Sequence, residues 1–214
     1  RLIALSDYDP VLFLESLKSA IQNKKLSAPI YRRIRRIEDV VYDVLPRQFE
    51  ERANQARKLY EEYSNDQAIL AYQGLLNDIQ ACLIEPADKA EQLLKGRQWM
   101  ARCRLSLGGC YLSNGQPEIA RDHFHAVRRE YEQEPALLRI TGRASLAEGL
   151  AALGEIDAAN AVFPAASEIS GATLTDQVRA NIDHVRQELE IERGNIPSDL
   201  SQPWLCATAV RVLI

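Results

Sequence analysis

Two segments of this chain carry the same kinds of residue at the same spacing, each position lying 39 residues from its counterpart. A single unit of this length cannot bury its own apolar face, so chains with such repeats fold by stacking neighbouring units. This internal repeat limits the possible folds more than any other feature of the sequence. The paired positions are Leu107 with Leu146, Gly108 with Ala147, Tyr111 with Leu150, Gly115 with Gly154, Ala120 with Ala159, Phe124 with Phe163, and Val127 with Ala166.

The residue types in each segment predict two helices joined by a short turn. Small residues such as Ala120 and Ala159 allow helices to approach closely, and large ones such as Phe124 fill the space between them. Gly115 and Gly154 fall at the expected ends of the first helices, where the left-handed backbone of a helix terminus suits glycine.

Apolar residues recur at helical spacing through most of the remaining chain. We predict about nine helices and no strand, and the short connections predict antiparallel neighbours. Gly96 is expected to kink or break its helix. The predicted helix that follows Asp66 continues to about Ile84, with its helical spacing assigned to Leu70, Gln73, Leu76, Ile79 and Leu83.

The repeat resembles the tetratricopeptide family, whose units are antiparallel helix pairs. The resemblance covers about Arg97 to Ile169 and implies an all-α fold of helix pairs stacked as an α-solenoid. It departs from the family in its 39-residue offset, against about 34 in a standard unit. Arg104 and Arg143 also stand where the family has Trp. The implied organisation is degenerate repeats in 1–96, two repeats in 97–169, a capping helix in 170–196 and a tail in 197–214.

In the tetratricopeptide family, partners bind on a concave surface lined by one face of the first helices. The resemblance carries this role to positions that are mostly small or polar here, which would leave room for an inserted peptide or helix. A solvated groove without a partner, or packing of these residues against a neighbouring helix, is an equal alternative. The positions are Arg102, Ser106, Gly109 and Ser113 in the first repeat, and Thr141, Ser145, Glu148 and Ala152 in the second.

Composition is that of an ordinary globular chain with a mild acidic balance. Net charge is −4 and the pI is near 5.5, which argues against sustained nucleic-acid binding. No stretch approaches the length of a membrane helix. The four cysteines, Cys82, Cys103, Cys110 and Cys206, lack zinc spacing, so we expect reduced thiols in a cytoplasmic protein. Because the chain begins at Arg1, we expect a piece of a longer protein.

No pattern in the sequence predicts catalysis, a metal or a cofactor. Nucleophile-elbow, phosphate-loop and H-E-x-x-H patterns do not occur. His123 and His125 are two residues apart on a predicted helix, so their side chains point in different directions and do not suit one metal ion. The expectation is a protein that is not an enzyme.

One basic segment is the strongest run of charge. Arg32, Arg33, Arg35 and Arg36 surround a predicted apolar stripe containing Ile34. Such a face contacts phosphates or an acidic protein in some proteins. A solvated helix face, partly neutralised by the acidic residues that follow, is the more ordinary interpretation.

These observations favour a protein-binding scaffold or adaptor that holds a peptide or helix of a partner. One alternative is a regulatory or peptide-sensing segment of a larger bacterial signalling or transcription protein. Residues 2–10 are slightly similar to the end of a receiver domain, although the Lys expected before Pro10 is missing. A second alternative is RNA binding through the basic face. The sequence identifies neither the partner nor the oligomeric state.

Overall fold

The computed structural model describes residues 49–82 and 90–195, and these are helical, with no strand among them. The all-helical class is therefore confirmed for this part of the chain. In chain order the helices are α1 (residues 49–61), α2 (Asn65–Cys82), α3 (Ala90–Ser113), α4 (Pro117–Gln133), α5 (Ile140–Ala152), α6 (Ile156–Val162), α7 (Ala166–Gly171) and α8 (Asp176–Glu192), with a 3-10 turn at Pro135–Leu137.

The chain divides into two compact units, one ending at Asn114 and the other beginning at Gly115. In the first unit, helices α1, α2 and α3 bury a core of aliphatic, aromatic and cysteine side chains, and α2 and α3 are in extensive contact. The buried residues of α1 are Phe49, Ala53 and Ala56; those of α2 include Ile69, Tyr72, Leu75 and Ile79; those of α3 include Cys103, Leu107, Cys110 and Tyr111.

The buried face of α2 differs from the prediction by one position. Ile79 is buried as expected, but Leu70 is 68% exposed while Ile69 and Leu75 are buried. Adjacent apolar pairs such as Leu75 and Leu76 give this helix two possible apolar faces. Periodicity alone does not determine which of the two faces is buried. The buried stripe contains Tyr72, whose hydroxyl donates a hydrogen bond to the Ala53 carbonyl over 3.3 Å.

Helix α3 continues through Gly96 for 24 residues, so the predicted break at Gly96 is wrong. One glycine inside a helix costs about 1 kcal/mol relative to alanine. Buried residues further along the helix, from Ala101 to Tyr111, supply packing that outweighs this cost.

Helix α5 of the second unit ends as the repeat predicts. Gly154 has a φ of 78°. Its amide donates to the Ala151 carbonyl over 2.8 Å, and the Glu155 amide donates to the Leu150 carbonyl over 2.9 Å. This pair of bonds is the Schellman motif, which closes a helix and turns the chain back. Gly115 also has a positive φ, of 70°.

The second helix of the second repeat is shorter than the repeat predicts. The spacing continues through Phe163 to Ala166, but α6 ends at Val162. Pro164 disfavours helical backbone at the residue before it, and Phe163 is extended. The chain then resumes as the short helix α7. Phe163 packs against a cluster of Ala144, Ile169 and Ile182.

The predicted set of about nine helices is not reproduced. Seven helices, α2 to α8, lie wholly within the described ranges, with α1 before them. The uninterrupted helix through Gly96 and the break at Pro164 account for differences inside these ranges. The predicted helices before residue 47 lie outside the described residues.

Candidate partner-binding surface

The four predicted site residues of α3 fall along one face of that helix in the first unit. Arg102 and Ser113 are exposed, and Ser106 and Gly109 are half-buried. The Ser113 hydroxyl lies 2.8 Å from the Tyr60 hydroxyl of α1. This face of α3 is therefore turned toward α1.

A small pocket of about 80 Å³ opens between α1, α2 and α3. Its lining includes two of the predicted residues, Arg102 and Ser106. The other polar groups at this pocket were not anticipated, because they belong to helices outside the clear repeat. They are Asn54 and Arg57 from α1 and Tyr72 from α2.

The two buried thiols of α3, of which Cys103 lines the pocket, are not reactive. Burial raises the pKa of the Cys103 thiol to about 12, although Arg102 and Arg52 act to lower it. Burial likewise raises the pKa of Cys110 to about 11. Both thiols stay protonated near neutral pH, so neither is an activated nucleophile.

The four predicted site residues of α5 are all exposed. Thr141, Ser145, Glu148 and Ala152 recur every three or four residues and form a stripe along the whole helix. The opposite face packs into the core of the second unit. Its buried members are Leu146, Ala147 and Leu150. The helix therefore separates a packing face from a small, polar solvent face.

Glu148 is exposed and lies within reach of charges on α8. Desolvation raises its pKa, and the charge of Glu188 on α8 raises it further, while His184 opposes the shift. His184 Nε2 lies 3.7 Å from a Glu188 oxygen. Glu148 is therefore the member of the exposed stripe whose ionisation depends on α8.

A second pocket, of about 250 Å³, lies in the second unit beside α6, α7 and α8. Its lining includes Phe163, Pro164 and Leu189, with Arg186 and Arg193 also present. Both arginines are paired within α8, Arg186 with Asp183 at 2.6 Å and Arg193 with Glu190 at 3.1 Å. Pro164 after Phe163 was the sequence signal for this irregular site, because proline disfavours helix at the residue before it. The repeat spacing predicted a continuous helix through the same residues.

His125 lies in an ionic cluster on the second unit. Its Nε2 is 2.7 Å from one oxygen of Glu155, and Arg121 Nε is 3.2 Å from the other. Burial acts to raise the pKa of Glu155, but hydrogen bonds and charges from His125 and Arg121 outweigh it and lower the pKa. The cluster joins α4 to the residue that precedes α6.

No group of three or more His, Cys, Asp or Glu side chains within 49–82 and 90–195 is placed to hold a metal ion. In the same ranges, none of the helices is both long enough and apolar enough to cross a membrane. The predicted basic face, Arg32, Arg33, Arg35 and Arg36, lies outside the described residues. So do Cys206 and the tail.

Comparison of the chain with protein-family models, with curated proteins and with solved structures finds no match. The chain's resemblance to the tetratricopeptide family therefore depends on its own repeat alone.

Proposed function

We propose that this chain is a protein-binding scaffold or adaptor that holds an extended or helical segment of a partner along the exposed stripe of α5. The observation that carries the proposal is the contrast between the two faces of this helix. Leu146, Ala147 and Leu150 are buried, whereas Ser145 and Glu148 on the other face remain open to solvent.

The chemistry of the stripe suits protein recognition. Thr141, Ser145 and Ala152 are small, so a partner backbone or side chain can approach the helix closely. The hydroxyl groups supply hydrogen bonds whose rotors adapt to different partners. Glu148 adds an exposed carboxylate that a cationic partner group would compensate. We propose no catalytic role for these side chains.

We further propose that α5 and α6 form a tetratricopeptide-like helical pair. Ala147 and Ala159 are fully buried at the small positions of the repeat, and Gly154 turns the chain between the helices. The two helices are in extensive contact. Stacking of further pairs into an α-solenoid stays a prediction from the repeat.

The proposal is tested by retention of a partner on the immobilised chain. The test variant combines Thr141→Glu, Ser145→Glu and Ala152→Glu, which crowd and charge the exposed stripe of α5. The matched control combines Ser167→Glu, Ser170→Glu and Thr173→Glu, which add the same charge at exposed positions away from the stripe. Circular dichroism checks that both variants remain helical.

We expect a specific protein to be retained by the parent chain and the control, and to be lost from the test variant. Equal retention by both variants would place binding elsewhere. If the parent retains no specific protein, the scaffold function itself is wrong.

The two alternative functions remain predictions. RNA binding would use Arg32 to Arg36, and the receiver-like stretch of residues 2–10 would support a regulatory role. Both segments lie outside the described residues, so no contact or exposure favours either function.

A further inference from the structure

The pocket between α1, α2 and α3 is cationic although the chain as a whole is acidic. Among the described residues that line it, Arg57 and Arg102 are charged, and none is a carboxylate. Asn54, Tyr72 and Ser106 add polar groups. A small site with two guanidinium groups and no acidic side chain has the charge complement of an anion.

The two guanidinium groups retain unused donors. Arg102 forms no ion pair with a described residue, and its guanidinium carbon lies 5.0 Å from the centre of the Trp99 ring. Arg57 donates one hydrogen bond to Asn54 Oδ1 at 3.1 Å, and its Nε is 3.9 Å from Glu61 in an exposed, weak pair. A guanidinium has five N–H donors, so several remain on each arginine.

The two arginines act on groups that line the pocket. Burial is the main influence on Tyr72 and raises the pKa of its hydroxyl, while a hydrogen bond with Ser106 and the charge of Arg57 act to lower that pKa. The charge of Arg102 likewise acts to lower the pKa of the Cys103 thiol, which burial raises. Both arginines are therefore close to the lining of the pocket.

The position of the pocket favours an acidic side chain over a chain terminus. Arg102 is near the middle of α3, and the predicted stripe continues from it to Ser113. Asn54, Arg57 and Arg102 are exposed, so a side chain can enter the pocket from solvent at α1 and α3. At about 80 Å³, the site has room for only a few water-sized groups.

We propose that this pocket binds the carboxylate of an aspartate or glutamate side chain within a partner segment. The planar fork of a guanidinium matches a carboxylate with two parallel hydrogen bonds. Arg102 of α3 and Arg57 of α1 hold the carboxylate, and the side-chain amide N–H of Asn54 adds a further hydrogen bond. The inference depends on the proposed function, since it assigns the chemistry of the partner.

The fluorescence of Trp99 reports binding directly. The Arg102 guanidinium lies over the Trp99 ring, and a carboxylate bound to Arg102 changes the charge beside that ring. In the full chain with Trp204→Phe, Trp99 is the sole tryptophan. The probe is a short acetylated and amidated peptide of alternating alanine and glutamate, with its glutamine counterpart as control. An Arg102 variant loses the contact with the Trp99 ring, so its fluorescence change is not comparable with that of the parent. Each titration is therefore repeated by calorimetry, which measures the Kd without using Trp99.

We expect saturable binding of the glutamate peptide, weaker at higher salt, and no binding of the glutamine peptide. Arg57→Gln and Arg102→Gln should each weaken binding by about tenfold. Arg129→Gln, at an exposed arginine of the second unit, should leave the Kd unchanged.

Three results would overturn the proposal. They are equal binding of the glutamate and glutamine peptides, undiminished binding by both pocket variants, and absence of any binding. An alanine peptide with a charged C-terminal carboxylate tests the chain-end alternative, and inorganic phosphate tests a free anion. Tighter binding of either than of the glutamate peptide also contradicts the proposal.

The experiment separates this inference from the scaffold function. If the acidic peptide fails to bind while the parent chain still retains a partner along α5, only the pocket assignment is wrong. If the acidic peptide binds and no partner is retained, the pocket stands and the scaffold function fails.

Discussion

The ring of Phe124 in α4 fills the space that a side chain at Gly149 in α5 would need. A Cβ placed on Gly149 would lie 2.4 Å from both Cε1 and Cζ of that ring. Phe124 is itself buried. Gly149 lies inside α5 with ordinary helical backbone, so backbone conformation does not require glycine there. Glycine is required because α4 and α5 approach closely at this position.

Gly149→Ala should therefore destabilise the chain, because the buried ring of Phe124 would have to shift to admit the methyl group. Overpacking of this kind costs about 1–3 kcal/mol. The control is Gly74→Ala in α2, where a Cβ would meet only the end of the Arg52 side chain at 3.9 Å. That change should be neutral or stabilising by up to about 1 kcal/mol. Urea denaturation measures both, and equal effects would contradict the packing argument.

Tyr63 occupies a backbone conformation that glycine would adopt more easily. Its φ is 60°, and the Ser64 amide donates to the Leu59 carbonyl over 2.9 Å, as in a Schellman motif. The side chain is 93% exposed, so little packing is lost on its removal. Tyr63→Gly should stabilise the chain by about 0.5–1 kcal/mol in thermal or urea unfolding.

The reverse change at the equivalent position provides the comparison. Gly154→Ala forces a φ near 78° on a residue with a Cβ, and should lower stability by about 1 kcal/mol. If Tyr63→Gly lowers stability as well, the exposed ring contributes more than the backbone strain.

Arg143 stabilises the break between α6 and α7. Its side chain is 16% exposed. The guanidinium donates to the carbonyls of Val162 at 3.0 Å and Phe163 at 3.2 Å, and to Glu168 at 2.7 Å. Arg143→Lys retains the charge but cannot reach these acceptors in the same fork, so we expect a loss of about 1–3 kcal/mol.

The control for Arg143 is Arg139→Lys, at an exposed residue before α5. That substitution should change the free energy of unfolding by less than about 0.5 kcal/mol. Similar losses at both positions would show that the fork of Arg143 has no special role.

Glu155 makes stability depend on pH with a defined sign. His125 and Arg121 lower its pKa in the folded state despite burial. A lowered pKa stabilises the fold above the unfolded value, and that contribution is lost as the pH falls through the folded value. Glu155→Gln should therefore destabilise the chain at pH 7, and the difference from the parent should shrink at about pH 3.

Urea denaturation at both pH values measures this difference. Glu132→Gln, which removes an exposed pair with Arg128, is the control and should have little effect at either pH. A Glu155→Gln difference that is constant with pH would mean that the ionised carboxylate is not its source.

The repeat predicted the features that depend on local sequence. Gly154 closes α5 with a positive φ, and Leu107, Ala120 and Leu150 are buried. Each outcome follows from residue type and helical spacing, both of which are visible in one segment of chain. Thr141 and Ser145, to which the family resemblance assigned a partner-binding role, are exposed.

The features that were missed depend on pairs of residues distant in sequence. The choice of Ile69 over Leu70 for the core of α2 depends on which helix lies beside it. Arg143 was noted only as a departure from the family, whereas its guanidinium bonds to carbonyls about 20 residues later. The cationic pocket likewise needs Arg57 and Arg102, on helices that only the fold brings together.

The central claim is that the exposed face of α5 contacts a partner protein. The most direct measurement places a photoreactive phenylalanine analogue at Ser145, with the same analogue at exposed Ser170 of α7 as control. Irradiation in cells that make the protein should give a discrete crosslinked product from Ser145 and none from Ser170. No product from Ser145, or the same products from both positions, would contradict a partner-binding role for this face.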